Sequence, residues 1–214
     1  SGGTITQPAA LLITNLVVTN VKCTGDQLGA VNITVTGGSP VITYKWSNSA
    51  TTQNIGPVFA GTYTVTVTDG NGCTTTGSGT ITQPATQPQF GATITNVACF
   101  GVCTGTIVVT PTGGTPGYTY IWGTSPVQTT KDVSGLCVGN YNLTVFDANG
   151  CKAIGNNSVT QPDAALTAVP TVTNILCNGN QTGSITLVVS GGTTAYSYLW
   201  NTSATTKDLL NKGA

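Results

Sequence analysis

The chain has 214 residues with six Lys, six Asp, no Arg, no Glu and no His, and its net charge is zero. Nucleic-acid binding needs a concentrated basic face, and general acid–base or nucleophilic catalysis has no His or Glu to use and only six Asp spread across turns with no convincing pair, so neither nucleic-acid binding nor an enzyme is expected. No apolar run approaches the roughly 20 residues of a membrane-spanning helix, so no membrane insertion is expected in this region.

Thr makes up about a fifth of the chain, with abundant Gly, Val, Ile, Asn and Ser, while the helix formers Glu, Met and Arg are absent. That composition predicts an all-β protein. Thr-Gln-Pro recurs at Thr6–Pro8, Thr82–Pro84 and Thr160–Pro162, at spacings of 76 and 78 residues. A cysteine follows each, at Cys23, Cys99 and Cys177, and an aromatic strand ends at Trp46, Trp122 and Trp200. Self-similarity at a fixed period marks an array of equivalent modules.

Residues 1–8 match the end of a unit, Ser78–Pro84, and are expected to be the last strand of a preceding repeat. Residues 9–84 and 85–162 then form two Ig-like antiparallel β-sandwiches, and 163–214 a partial one lacking its last strands. In the first unit, Leu12 to Val21 reads as a strand and Lys22–Asp26 as a turn. Val31, Ile33 and Val35 alternate with polar residues, the signature of a half-buried strand. Gly37-Gly38-Ser39-Pro40 breaks that strand and predicts a hairpin. Ile42, Tyr44 and Trp46 share the next face, and a short segment follows around Ile55. Tyr63, Val65 and Val67 alternate with Thr, Asp69-Gly70-Asn71-Gly72 turns the chain, and the last strand runs from Cys73 to Ile81. Six or seven short strands in under 80 residues predict a small sandwich. Trp46, Trp122 and Trp200 are expected in the cores, with Tyr63 and Tyr141 as tyrosine corners.

Cys23 and Cys73 are 50 residues apart, and Cys99 and Cys151 are 52 apart at equivalent positions. The repetition predicts disulfides Cys23–Cys73 and Cys99–Cys151, each contributing about 4 kcal/mol in the chain-entropy model. Cys103 and Cys137 occur only in the second unit and are expected to bridge there; Cys177 is left unpaired in this window. Disulfides place the protein outside the cytosol. The only close cysteine spacing, Cys99 to Cys103, comes without His and does not suit zinc, so no metal, cofactor or catalytic residue is expected. Asp69-x-Asn71-Gly72 and Asp147-x-Asn149-Gly150 have too few carboxylates for a strong Ca²⁺ site and are expected to cap tight hairpins.

The string Ala60–Cys73, running on to Thr80–Pro84, and the ordered set Cys177-Asn178-Gly179, Gly183–Thr186, Gly191-Gly192 and Tyr198–Asn201 resemble the SprB-type repeat of gliding-motility surface adhesins. PKD-like bacterial stalk domains are the nearest similar family. The resemblance implies tandem Ig-like repeats in an extracellular, cell-surface filament of gliding bacteria exported by the type IX route, with no catalytic or cofactor residues. The function expected is a structural stalk or adhesive region that serves surface attachment or gliding. The alternatives are a self-assembling fibre completed by strands donated between chains, and an array of carbohydrate-binding modules. Expected partners are neighbouring repeats of the same chain, identical chains in a filament, and surface polysaccharide.

Overall fold

The structure, a computed structural model, describes residues 2, 3 and 6–213. In the first repeat the strands are β1 (Leu12–Thr19), β2 (Gly29–Thr36), β3 (Thr43–Trp46), β4 (Ile55–Val58), β5 (Gly61–Thr68) and β6 (Thr74–Ile81). They form two three-stranded sheets, β1-β2-β4 and β3-β5-β6. β1 and β2 pair antiparallel, as do β5 and β6, and this division of strands is that of an Ig-like sandwich.

Alternation decides which residues enter the core. On β2, Val31 and Ile33 are buried while Asn32 and Thr34 face out; on β5, Val65 and Val67 are buried between exposed Thr64 and Thr66. Trp46 closes β3 at 2% exposure and packs in one cluster with Val21, Val31, Ile33, Ile55, Val65, Val67 and Ile81. Its indole Nε1 donates to the Thr52 carbonyl at 2.8 Å, so the one polar atom of the ring is satisfied inside. Half-buried Tyr63, near the start of β5, donates its hydroxyl to the Phe59 carbonyl at 3.1 Å, the bond of a tyrosine corner.

The second repeat has β7 (Gln89–Thr95), β8 (Gly105–Thr112), β9 (Thr119–Trp122), β10 (Val133–Leu136), β11 (Gly139–Phe146) and β12 (Lys152–Val159), in sheets β10-β8-β7 and β12-β11-β9. Trp122 is fully buried and donates to the Thr130 carbonyl at 2.9 Å; Tyr141 donates to the Cys137 carbonyl at 3.0 Å. In the third repeat β13 (Thr167–Thr173), β14 (Gly183–Ser190) and β15 (Leu209–Lys212) form one sheet in the order β13-β14-β15. Trp200 keeps its bond to the Thr206 carbonyl at 2.9 Å but is only half-buried, because no second sheet covers it among the described residues. It is not the closed core residue that its sequence position suggests.

One further expectation changes. Gly37-Gly38 does not make a hairpin: β2 and β3 lie in different sheets, so the segment is a crossover. Gly37 has φ +71°, and a Cβ there would sit 1.9 Å from the Ala10 carbonyl oxygen, while the Gly38 amide donates to the Ala9 carbonyl at 2.8 Å. Only glycine lets the crossing chain approach that closely. The strand expected in residues 1–8 rests on Thr4 and Ile5, which lie outside the described residues; Gly2, Gly3 and Thr6–Pro8 are not in a strand.

Compactness groups the chain into two units that do not follow the sequence period. One comprises Ser1–Phe90 with Pro111–Thr119 and Thr144–Ala153; the other comprises Gly91–Thr110, Tyr120–Leu143 and Ile154–Ala214.

Candidate functional site

Cys23, Cys73, Cys99 and Cys151 do not pair as their spacing suggests. Cys23 is bridged to Cys151, 128 residues away with Cα atoms 5.5 Å apart, and Cys103 to Cys137. Cys73, Cys99 and Cys177 are free and exposed. Cys23–Cys73 and Cys99–Cys151 are therefore not the bridges of this structure.

The physical reason lies in strand direction. After β1 the Lys22–Asp26 turn reaches the distal end of the first repeat, where the chain leaves it. There the Val21 amide donates to the Thr82 carbonyl at 2.9 Å, the Thr24 hydroxyl to the Pro84 carbonyl at 2.9 Å, and the Gly25 amide to Gln83 Oε1 at 2.9 Å. Cys73 instead precedes β6, at the proximal end, where the Asp69 turn meets Ser39 and the Gly38 amide meets Ala9. The eight residues of β6 separate those ends by about 26 Å, far beyond the roughly 7 Å that a disulfide spans. β12, also eight residues long, runs likewise between Cys151 and the Thr160-Gln161 segment clasped by the turn after Cys99.

Cys151 is the proximal cysteine of the second repeat, and the linker Gln83–Pro88 brings it to the distal end of the first. The joint lies wholly within the first compact unit. Asn149 Nδ2 donates to the Lys22 carbonyl at 3.2 Å and to Thr115 Oγ1 at 2.8 Å, and Gln87 Nε2 donates to the Thr24 carbonyl at 3.2 Å. The bridge walls a cleft of about 500 Å³ whose lining includes Thr24, Asp26, Gln87, Phe146 and Lys152. Gln83, Gln87 and Asn149 are functional residues that sequence reasoning missed. For Gln83 a signal was present, because it recurs with the period at Gln161 and each of the two accepts from the turn after a cysteine.

The Asp69 and Asp147 turns are capped as their composition suggests. Asp69 Oδ1 accepts from the Asn71 amide at 3.0 Å and the Cys73 amide at 2.8 Å, and Oδ2 from the Ser39 amide at 2.9 Å. Asp147 repeats the set with Asn149, Cys151 and Thr115, each at 2.9 Å. The Ser39 amide bond, opposed by burial and reinforced by the amides of Cys73, Asn71 and Gly72, holds the Asp69 carboxyl below its ordinary value. Burial would raise that of Asp147, but the amides of Thr115, Cys151, Asn149 and Gly150 together bring it below the ordinary value too. A depressed carboxyl contributes stability that is present above its unfolded value and is lost as pH falls through its folded one. The melting temperature is thus expected to stay level between about pH 5 and 8 and to drop below about pH 4. In Asp69→Asn/Asp147→Asn the neutral-pH melting temperature should be lower and the acid slope shallower. An acid slope unchanged by the double substitution would assign acid unfolding to other carboxyls.

Fold and joint together define a tandem array of small Ig-like modules, with one disulfide joining the first repeat to the second. The SprB repeat model matches residues 15–51, 91–126 and 169–205, about half of the chain. The chain belongs to the SprB repeat family. No curated protein matches it. Among solved structures, the N-terminal eight Ig domains of Down syndrome cell adhesion molecule (DSCAM isoform 1.30.30) are similar at 16% identity and TM-score 0.24, over 94% of this chain. The chain spans 33% of that structure's length. Extracellular domains 3–5 of Drosophila OTK are similar at 9% identity and TM-score 0.30, over 92% of this chain and 88% of theirs.

Proposed function

We propose that this chain is a load-bearing repeat region of a secreted, cell-surface adhesin or filament of gliding bacteria, exported by the type IX route and serving attachment or gliding. The observation that carries the reading is the SprB repeat, matched three times in register with the period. The polar motifs support it, because Asp69, Asp147, Gln83 and Asn149 hold turns and joints instead of lining a catalytic pocket. A bridge between repeats supports a mechanical role, since it links modules covalently where a flexible linker alone would let them separate. With Trp46 and Trp122 buried, a carbohydrate-module reading has no tryptophan face to use in the first two repeats. Neighbouring repeats, identical chains and surface polysaccharide are the partners this reading names.

The test uses antibody fragments raised against the chain. Intact cells should be labelled without permeabilisation, and the fragments should lower the fraction of cells that stay attached under flow. Labelling only after permeabilisation, or attachment unchanged at saturating fragment, would overturn the reading. One observation favours a second reading, in which another chain donates strands to the third repeat. On the sheet β13-β14-β15, Ile185 and Leu187 are only half-buried where their counterparts Val31 and Ile33 are buried, and Val172, paired with Ile185, is 61% exposed. Light scattering separates the two, since strand donation requires a multimer that survives reductant.

A further inference from the structure

The Cys23–Cys151 joint is built from parts that recur elsewhere in the chain without a bridged partner. At the distal end of the second repeat the Val97 amide donates to the Thr160 carbonyl at 2.9 Å, the Thr160 amide to Asn96 Oδ1 at 2.9 Å, and the Gly101 amide to Gln161 Oε1 at 3.0 Å. These are the bonds of Val21, Thr82 and Gly25 around Cys23, repeated around Cys99. The Cys177 turn repeats the bond that follows Cys23: the Asn180 amide donates to the Cys177 carbonyl at 3.2 Å, as the Asp26 amide does to the Cys23 carbonyl. At the proximal end of the first repeat, Cys73 leaves a capped Asp-x-Asn-Gly turn with the hydrogen bonds of the turn that presents Cys151.

We infer that Cys23–Cys151 is one rung of a periodic cross-link, and that Cys99, Cys177 and Cys73 are half-sites for further rungs to other SprB repeats. A distal half-site (Cys99 or Cys177) takes the proximal cysteine of another repeat, and Cys73 takes a distal one. Geometry sets the polarity. The first and second repeats present Cys23 and Cys73, and Cys99 and Cys151, at opposite ends, so neither member of a pair can satisfy the other, whereas opposite ends of two repeats meet across the linker Gln83–Pro88. Recognition at the joint is independent of the residue before the distal cysteine, because Asn149 reads the backbone carbonyl of Lys22. Ala98 and Leu176 offer the same carbonyl at the other two distal sites.

The bond forms by thiol–disulfide exchange with a small disulfide oxidant such as oxidised glutathione. One cysteine thiolate attacks the oxidant and releases one glutathione, leaving a mixed disulfide. The partner thiolate then attacks the protein sulfur and releases the second glutathione. Two thiols are oxidised, one disulfide is reduced, and the two protons pass to the released glutathione thiols.

The inference concerns pairing and not attachment, so it fails separately from the adhesive reading. A short linker holds two modules at a millimolar effective concentration, so the 214-residue chain is oxidised in a glutathione buffer at about 1 mM, where pairing between chains can compete. It is then digested without reduction and its linked peptides are identified by mass spectrometry. Expected are Cys23–Cys151 within one chain and covalent multimers in which Cys73 is joined to Cys99 or Cys177. Cys73→Ser should abolish those multimers and leave Cys23–Cys151 in place. Peptides joining Cys23 to Cys73 or Cys99 to Cys151 would overturn the inference. So would multimers joined distal to distal, or monomers retaining all three free thiols. The protein from its native source, run without reductant, distinguishes the origin of the partner. Migration at single-chain mass with Cys99 bridged places the partner in the same chain, and migration at multiples of that mass places it in a second copy.

Discussion

Pulled from its two ends without reductant, the chain is expected to extend by roughly 290 Å and then stop, because tension passes through the sulfurs of Cys23 and Cys151 and never reaches the residues between them. Only the segments before Cys23 and after Cys151 are free to stretch, at about 3.4 Å per residue. Adding a thiol reductant should release the enclosed 128-residue separation, about 430 Å of further contour. Bridges confined to single repeats would behave differently. They would leave the stretch between Cys73 and Cys99 outside both loops, and the oxidised chain would run about 85 Å longer. Cys151→Ser supplies a second reading of the same quantity. It opens the large loop but keeps Cys103–Cys137, whose 34-residue separation should withhold about 115 Å until reductant is added. Force-extension traces of the three samples decide the matter, and equal oxidised and reduced lengths would remove the bridge from the load path.

Trp46→Ala is expected to destabilise the first repeat by about 3–5 kcal/mol, read as a lower denaturation midpoint. The ring is 2% exposed, it touches both sheets of the sandwich, and its Nε1 bonds the Thr52 carbonyl. Truncation removes the burial of an indole and leaves a cavity that the β-sheet backbone on either side cannot close. A sandwich of this size holds only about 4–11 kcal/mol in total, so the loss should place the first repeat near its unfolding threshold. Trp200→Ala, at a half-buried position, should cost clearly less in this chain. Were Trp46→Ala to keep the midpoint of the parent chain while losing polysaccharide binding, the indole would belong to a surface site and not to the core.

Much of the fold was legible because it is written locally. Alternation of Val and Thr on β2 and β5 assigns each residue to a face without reference to the rest of the chain, and Val31, Val65 and Val67 are buried accordingly. The Tyr63 hydroxyl and Asp69 Oδ1 find their partners within four residues, which is why both could be read as tyrosine corner and capped turn, whereas the bond from the Ser39 amide to Asp69 Oδ2 comes from across the sandwich. Gly37-Gly38 was misread for the complementary reason. Gly-Gly specifies a backbone that can take positive φ, but whether the following strand returns to the same sheet or crosses to the other depends on which strands it meets, β5 and not β2.

The cysteines mark the boundary most sharply. The sequence alone carries a period of 76 to 78 residues, six or seven short strands in a complete repeat, the buried Trp46 and Trp122 and a recurring pair of cysteines. Only the tertiary structure decided that the pair is split between the two ends of a sandwich, so that the bridge it forms joins repeat to repeat and leaves Cys73 and Cys99 free. The physical reason is that spacing along a chain fixes how many residues lie between two thiols, whereas a disulfide needs two Cα atoms within about 7 Å. That distance depends on how many times the intervening strands have reversed direction, and so on the path of the whole sandwich.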